Sequence, residues 1–196
     1  MNNLVRSVCF GAAGLLTVLG ASTAAIGQEV PTTEPVASDL DIMVATDIHV
    51  LADELHETAD GVPTEDFQRA IDGDRKMMPE SQEIFEKYID QVIAEQPDVL
   101  MISGDLTKDG EIASHNEVAA QLDRAKAGVP GLQIYITNGN HDINNPSHSR
   151  DFSVQPSVQA PFATPDDYAE IYDAYLNQET ITEHYSVPEG AQAGRF

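Results

Sequence analysis

Three short polar clusters carry donors that could do chemistry: Asp47-Ile48-His49, Ser103-Gly104-Asp105 and Asn138-Gly139-Asn140-His141-Asp142. Carboxylates and imidazoles bind divalent cations, an asparagine adds a neutral amide oxygen, and a further histidine can give or take a proton near neutral pH. Side chains two apart in an extended segment point to the same side, so one cation could take both Asp47 and His49. Taken singly, Asp47 and His49 could instead cap or turn the chain, and Asp105 could be a turn aspartate. Gly104 removes a side chain that would crowd Asp105, and Gly139 permits a positive φ or close backbone approach. A turn rich in Asn and Gly does not by itself call for His141 followed by Asp142, and Asp142 is placed to orient the imidazole.

Each cluster ends an apolar run. Ile42 to Ala45 has the pattern of a strand buried on both faces, Asp98 to Ser103 forms a second buried strand and Leu132 to Thr137 a third. Between them, Ile84, Phe85, Tyr88, Ile89, Val92 and Ile93 repeat at helical spacing behind Ser81 as N-cap, with Pro97 beyond the end. Another helix is expected from about Gly110 to Ala127, where Asp109 reads as its N-cap and stays out of the site. A helix from about Asp166 to Leu176 and a strand over 182–187 follow. Residues 50–79 are polar, acidic and Gly-punctuated, a stretch long for a plain loop and hence functional or partly helical. Strands alternating with helices imply parallel crossovers, and the carboxyl edge of such a sheet is where ligands gather.

Composition narrows the partners. An apolar fraction of 41% with 22% charged residues predicts a folded domain with its own core. Ten Lys and Arg against 33 Asp and Glu leave a formal charge of -23 and no basic run, which argues against nucleic acid. The same field repels small anions, so a phosphate pocket here needs concentrated local positive charge, such as bound cations supply. The single cysteine, Cys9, lies within residues 1–27, where Arg6, an apolar stretch from Val8 to Leu19 and small residues at 21–25 read as a secretory signal peptide. Disulfides and cysteine catalysis are thereby excluded from the mature chain, and a secreted, periplasmic or cell-surface location is expected without a membrane span. Residues 28–39 form a linker, and the folded domain occupies 40–196.

Taken in order, Asp47-Ile48-His49, Gly104-Asp105 and Gly139-Asn140-His141-Asp142, each at a strand end, resemble the metallophosphoesterase (calcineurin-like phosphoesterase) family, over about residues 40–190. The flanking residues look most like its exported bacterial members. The resemblance implies an α/β fold, half of an α/β/β/α sandwich with a mainly parallel sheet flanked by helices. It implies that Asp47 and His49 hold one metal, Asp105 bridges two and Asn140 binds the second. His141, oriented by Asp142, would stabilise charge on the phosphoryl group or protonate the leaving oxygen. The implied activity is hydrolysis of phosphate mono- or diesters by water activated between two ions, with Mn, Fe, Zn or Ni all compatible with mixed nitrogen and oxygen donors. The family pattern continues with a further histidine and a Gly-His-x-His segment; after His141 this sequence has only His148 and His184. The C-terminal part is therefore expected to be missing, through a partial gene product, a fragment or a partner chain that supplies the rest. The alternative from another class is a noncatalytic metal-binding or interaction protein, and a third is an exported domain whose Asp and His residues only form turns.

The remaining histidines have plain readings. His56-Glu57 lacks the second histidine of a zinc helix motif, and His115 is expected on the solvated side of a helix start. Asp72-Gly73-Asp74 fails the calcium-loop pattern at Lys76, and no Gly-x-Ser-x-Gly elbow or Walker loop occurs.

Overall fold

A computed structural model describes residues 39–178; the leader, the linker up to Ser38, the strand expected over 182–187 and His184 lie outside the described residues. Strand β1 (Ile42–Ala45), β2 (Val99–Ser103) and β3 (Gln133–Thr137) form a parallel sheet in the order β1-β2-β3. Ile42 pairs with Val99 and Val44 with Met101, while Val99 pairs with Gln133 and Met101 with Tyr135. Two long helices connect the strands, α2 (Ser81–Glu95) and α3 (Ile112–Gly128). Parallel neighbours need such crossovers, because a tight turn cannot return the chain to the same end of the sheet.

The apolar spacing of α2 and α3 explains the core. Phe85, Ile89 and Val92 on α2 meet Val118, Leu122 and Ala125 on α3, and both rows pack on Leu100, Ile102 and Ile134 of the sheet. Among the described residues nothing packs on the other sheet face, where Ile42 is 48% exposed, Val44 60% and Met101 44%. The sequence expectation of strands buried on both faces is thus corrected. Side chains alternate sides along a strand, and among the described residues the long helices cover one side only.

Residues 50–80 turn out to be partly helical. They hold a 3-10 turn at Asp53–Leu55, helix α1 (Glu65–Gly73) and a second 3-10 turn at Met78–Glu80. Thr64 caps α1 through its hydroxyl, which accepts from the Phe67 amide at 3.2 Å. Under this segment lies a second apolar cluster of Leu51, Leu55, Phe67, Met78 and Phe152. The short strands β4 (Arg150–Asp151) and β5 (Val158–Gln159) pair antiparallel.

The expected terminal helix is two, α4 (Pro165–Ile171) and α5 (Asp173–Leu176). Thr164 and Asp167 form a capping box at the start of α4. Tyr172 interrupts the run at φ -106° and ψ 18°, fully buried, with its hydroxyl 3.0 Å from His115 Nδ1. That contact also corrects the reading of His115, which is fully buried rather than solvated, because Tyr168 and Tyr172 lie against α3 at this point. Ser81 is the first residue of α2 rather than its cap. Among the described residues no helix is long and apolar enough to cross a membrane.

Candidate metal centre

Beyond their last ladder pairs, the loops after β1 and β2 remain zipped together by backbone hydrogen bonds. The Asp47 amide donates to the Gly104 carbonyl at 3.3 Å, His49 to Asp105 at 2.9 Å, Val50 to Leu106 at 2.9 Å, and Lys108 returns to Val50 at 2.9 Å. Side chains at the helix starts hold the next turn: the Leu51 amide donates to Ser81 Oγ at 2.9 Å, Ala52 to Ser114 Oγ at 3.1 Å and Asp53 to Gln82 Oε1 at 2.9 Å. The loop carrying Asp47 and His49 is therefore anchored on both sides.

This anchoring holds an unusual backbone. Asp47, His49 and Asp105 adopt φ of 52°, 46° and 49°. A left-handed conformation costs a non-glycine residue on the order of 1 kcal/mol, and such strain persists where the surroundings over-determine it. Asp47 and His49 accordingly share a side not because the segment is extended, as the sequence suggests, but because both are left-handed beyond the strand end. One ligand atom from each of Asp47, His49 and Asp105 can be chosen so that all lie within 4.8 Å of one another. Two carboxylates and one imidazole at that spacing suit a divalent cation with mixed oxygen and nitrogen preference.

The chemistry of His49 is prepared by its neighbours. Its Nδ1 lies 3.3 Å from the Thr107 carbonyl, which places the ring proton there and leaves Nε2, 3.9 Å from Asp105 Oδ2, as the ligand atom. Burial, reinforced by the Lys76 charge, holds the His49 pKa below its ordinary value, which favours the neutral ring that can ligate.

The loop after β3 presses on the same centre. The His141 amide donates to Asp105 Oδ1 at 3.0 Å, and the His141 ring stands edge-on to His49 with centroids 4.9 Å apart. Gly139 is required for this approach, since a Cβ there would overlap the Asp105 carboxylate and amide. Asn140, exposed at the tip of this loop, forms no hydrogen bond among the described residues.

Asp142 takes a different part from the one its sequence position suggests. Its buried carboxylate accepts from the Thr107 amide at 2.9 Å, the Thr107 hydroxyl at 3.0 Å and the Gly139 amide at 2.7 Å. It ties the loops after β2 and β3 together. The carboxylate on the His141 ring is Asp109, whose Oδ1 lies 2.8 Å from Nδ1. Asp109 is no helix cap, for α3 begins after Glu111 without a side-chain cap. It is 5% exposed and also accepts from Lys108 Nζ and Asn145 Nδ2. Burial opposes its ionisation, but Lys108, His141 and Lys76 outweigh that and hold its pKa below the usual carboxylate value.

Lys76 is the other residue the sequence did not single out. Its Nζ lies 3.4 Å from His141 Nδ1 and 3.4 Å from the Lys108 carbonyl. No local motif marks it, because the second 3-10 turn and its flanks bring it to the site from 65 residues away along the chain.

A family model described as calcineurin-like phosphoesterase matches residues 40–192. No curated protein matches the chain.

Proposed function

The chain belongs to the calcineurin-like phosphoesterase family, and from that premise we propose that it hydrolyses phosphate mono- or diesters at a dinuclear metal centre. The observation that carries the reading is the convergence of Asp47, His49 and Asp105, within 4.8 Å, from two strand ends with left-handed backbone. In this reading Asp47 and His49 would hold one ion, Asp105 would serve both, and the Asn140 amide oxygen would serve the second. Bound ions such as Mn, Fe, Zn or Ni would supply Lewis acidity and local positive charge in a chain whose formal charge is -23.

The chain's own residues supply the rest. Asp109 fixes the His141 ring through Nδ1, so Nε2 is the atom left to meet the phosphoryl group or give a proton to the leaving oxygen. Asp142 and Thr107 keep the two loops in register, and Gly139 lets His141 reach Asp105. The substrate is a small phosphate ester. Residues 1–27 carry the features of an export signal, which supports a secreted, periplasmic or cell-surface location.

The test is turnover of p-nitrophenyl phosphate and bis-p-nitrophenyl phosphate with Mn(II) added, beside the Asp105→Asn variant. Metal-dependent release from either ester, lost in the variant, supports the reading and separates monoesterase from diesterase. Tight Mn(II) binding without turnover of either ester would replace it with a noncatalytic metal-binding role.

A further inference from the structure

Beside the metal centre opens a cleft of about 320 Å³. Asp47 and His49 line it together with Arg75 and Lys76. Only ten Lys and Arg occur in the sequence, so two adjacent ones on this cleft make a strong local departure from the acidic surface.

The two cations differ in depth. Lys76 is half-buried, with its ammonium 3.4 Å from His141 Nδ1 and 3.4 Å from the Lys108 carbonyl, so it adds positive charge on the inner side of the cleft. Arg75 is exposed, and its guanidinium has no hydrogen-bond or ion-pair partner among the described residues, although Asp72 and Asp74 are close in sequence. The rest of the lining has little polar capacity to spare. Ile48, Met77 and Ile84 are apolar, and the Ser81 hydroxyl is committed to the Met78 carbonyl and the Leu51 amide. Arg75 is then the cleft residue away from the reacting centre that can recognise a polar group on the substrate, and a guanidinium selects carboxylate or phosphate by paired charge-assisted hydrogen bonds.

The geometry points to a substrate with two anionic groups: the phosphoryl group that reacts at the metal centre, in the field of Lys76, and a second carboxylate or phosphate on the organic portion, met by Arg75. This rests on the phosphoesterase reading and narrows it. Esters with a neutral polar tail lose the outer contact and bind less well.

Calorimetric titration of the full chain with Mn(II) tests this without requiring turnover. Phosphonoacetate and 2-hydroxyethylphosphonate are close in size, do not hydrolyse, and differ in carrying a carboxylate or a hydroxyl. Phosphonoacetate is expected to bind about tenfold more tightly. In Arg75→Gln the two should bind within about twofold of each other, and in Lys76→Gln both should weaken alike. Equal affinities in the wild type, a preference that survives in Arg75→Gln, or no binding of either phosphonate overturns the proposal. A parallel assay of phosphoglycolate hydrolysis keeps the two readings apart. Discrimination without turnover of phosphoglycolate or of either p-nitrophenyl ester leaves the clamp standing and removes the hydrolase; hydrolysis without discrimination does the reverse.

Discussion

At the scale of single residues, the site depends on side chains whose partners were settled by tertiary contact. Asp142 follows His141 directly, yet its carboxylate is taken by Thr107 and Gly139, while Asp109, 32 residues away, reaches the imidazole. If Asp109 acts through His141, the two form one functional unit. Asp109→Asn should lower kcat about 10- to 100-fold, and combining it with His141→Asn should cost no more than the larger single loss. Steady-state kinetics of the two single variants and the double variant checks this. His115 offers a second prediction, this one for stability. Burial holds its pKa below the ordinary histidine value, opposed by its contact with the Asp142 carbonyl, so its protonated form is disfavoured in the folded chain. Its contribution is then complete above the ordinary value and is lost as the pH falls below it. Thermal melts between roughly pH 8 and roughly pH 5 should show a shallower pH dependence for His115→Gln than for the wild type.

At the scale of elements, three strands and the long helices were legible from the spacing of apolar residues, and each cluster of candidate ligands stood where a strand had to end. The strand ends themselves carried donor types, so Asp47, His49 and Asp105 could be singled out as candidates without knowing how their loops would bend. The bend was not legible. It comes from hydrogen bonds between the two loops, such as His49 to Asp105, and from the left-handed backbone those bonds enforce. Lys76 and Arg75 were hidden for the same reason, since α1 and the second 3-10 turn carry them to the cleft. Two substitutions probe this architecture. Thr107→Val removes the hydroxyl that donates to Asp142 and accepts from the Gly110 amide, and should cost about 1–3 kcal/mol in denaturant unfolding. Gly139→Ala places a methyl against Asp105 and should weaken Mn(II) binding at least about tenfold, measured by calorimetry.

At the scale of the whole molecule, among the described residues helices cover one face of the sheet while Ile42, Val44 and Met101 leave the other apolar and exposed. An apolar face of that kind binds hydrophobic probes. The native chain should enhance anilinonaphthalene sulfonate fluorescence, and Val44→Lys with Met101→Lys should reduce that signal while shifting stability by less than about 1 kcal/mol. The acidic surface sets a second condition, because a chain with formal charge -23 can draw an anionic ester to this edge of the sheet only if positive charge is concentrated there. Anomalous X-ray diffraction from crystals soaked in Mn(II) is the most direct test of that central claim. A peak within coordination distance of Asp47, His49 and Asp105 is expected, and it should vanish in Asp105→Asn. A map with no peak there, or with manganese bound only elsewhere on the acidic surface, would contradict it.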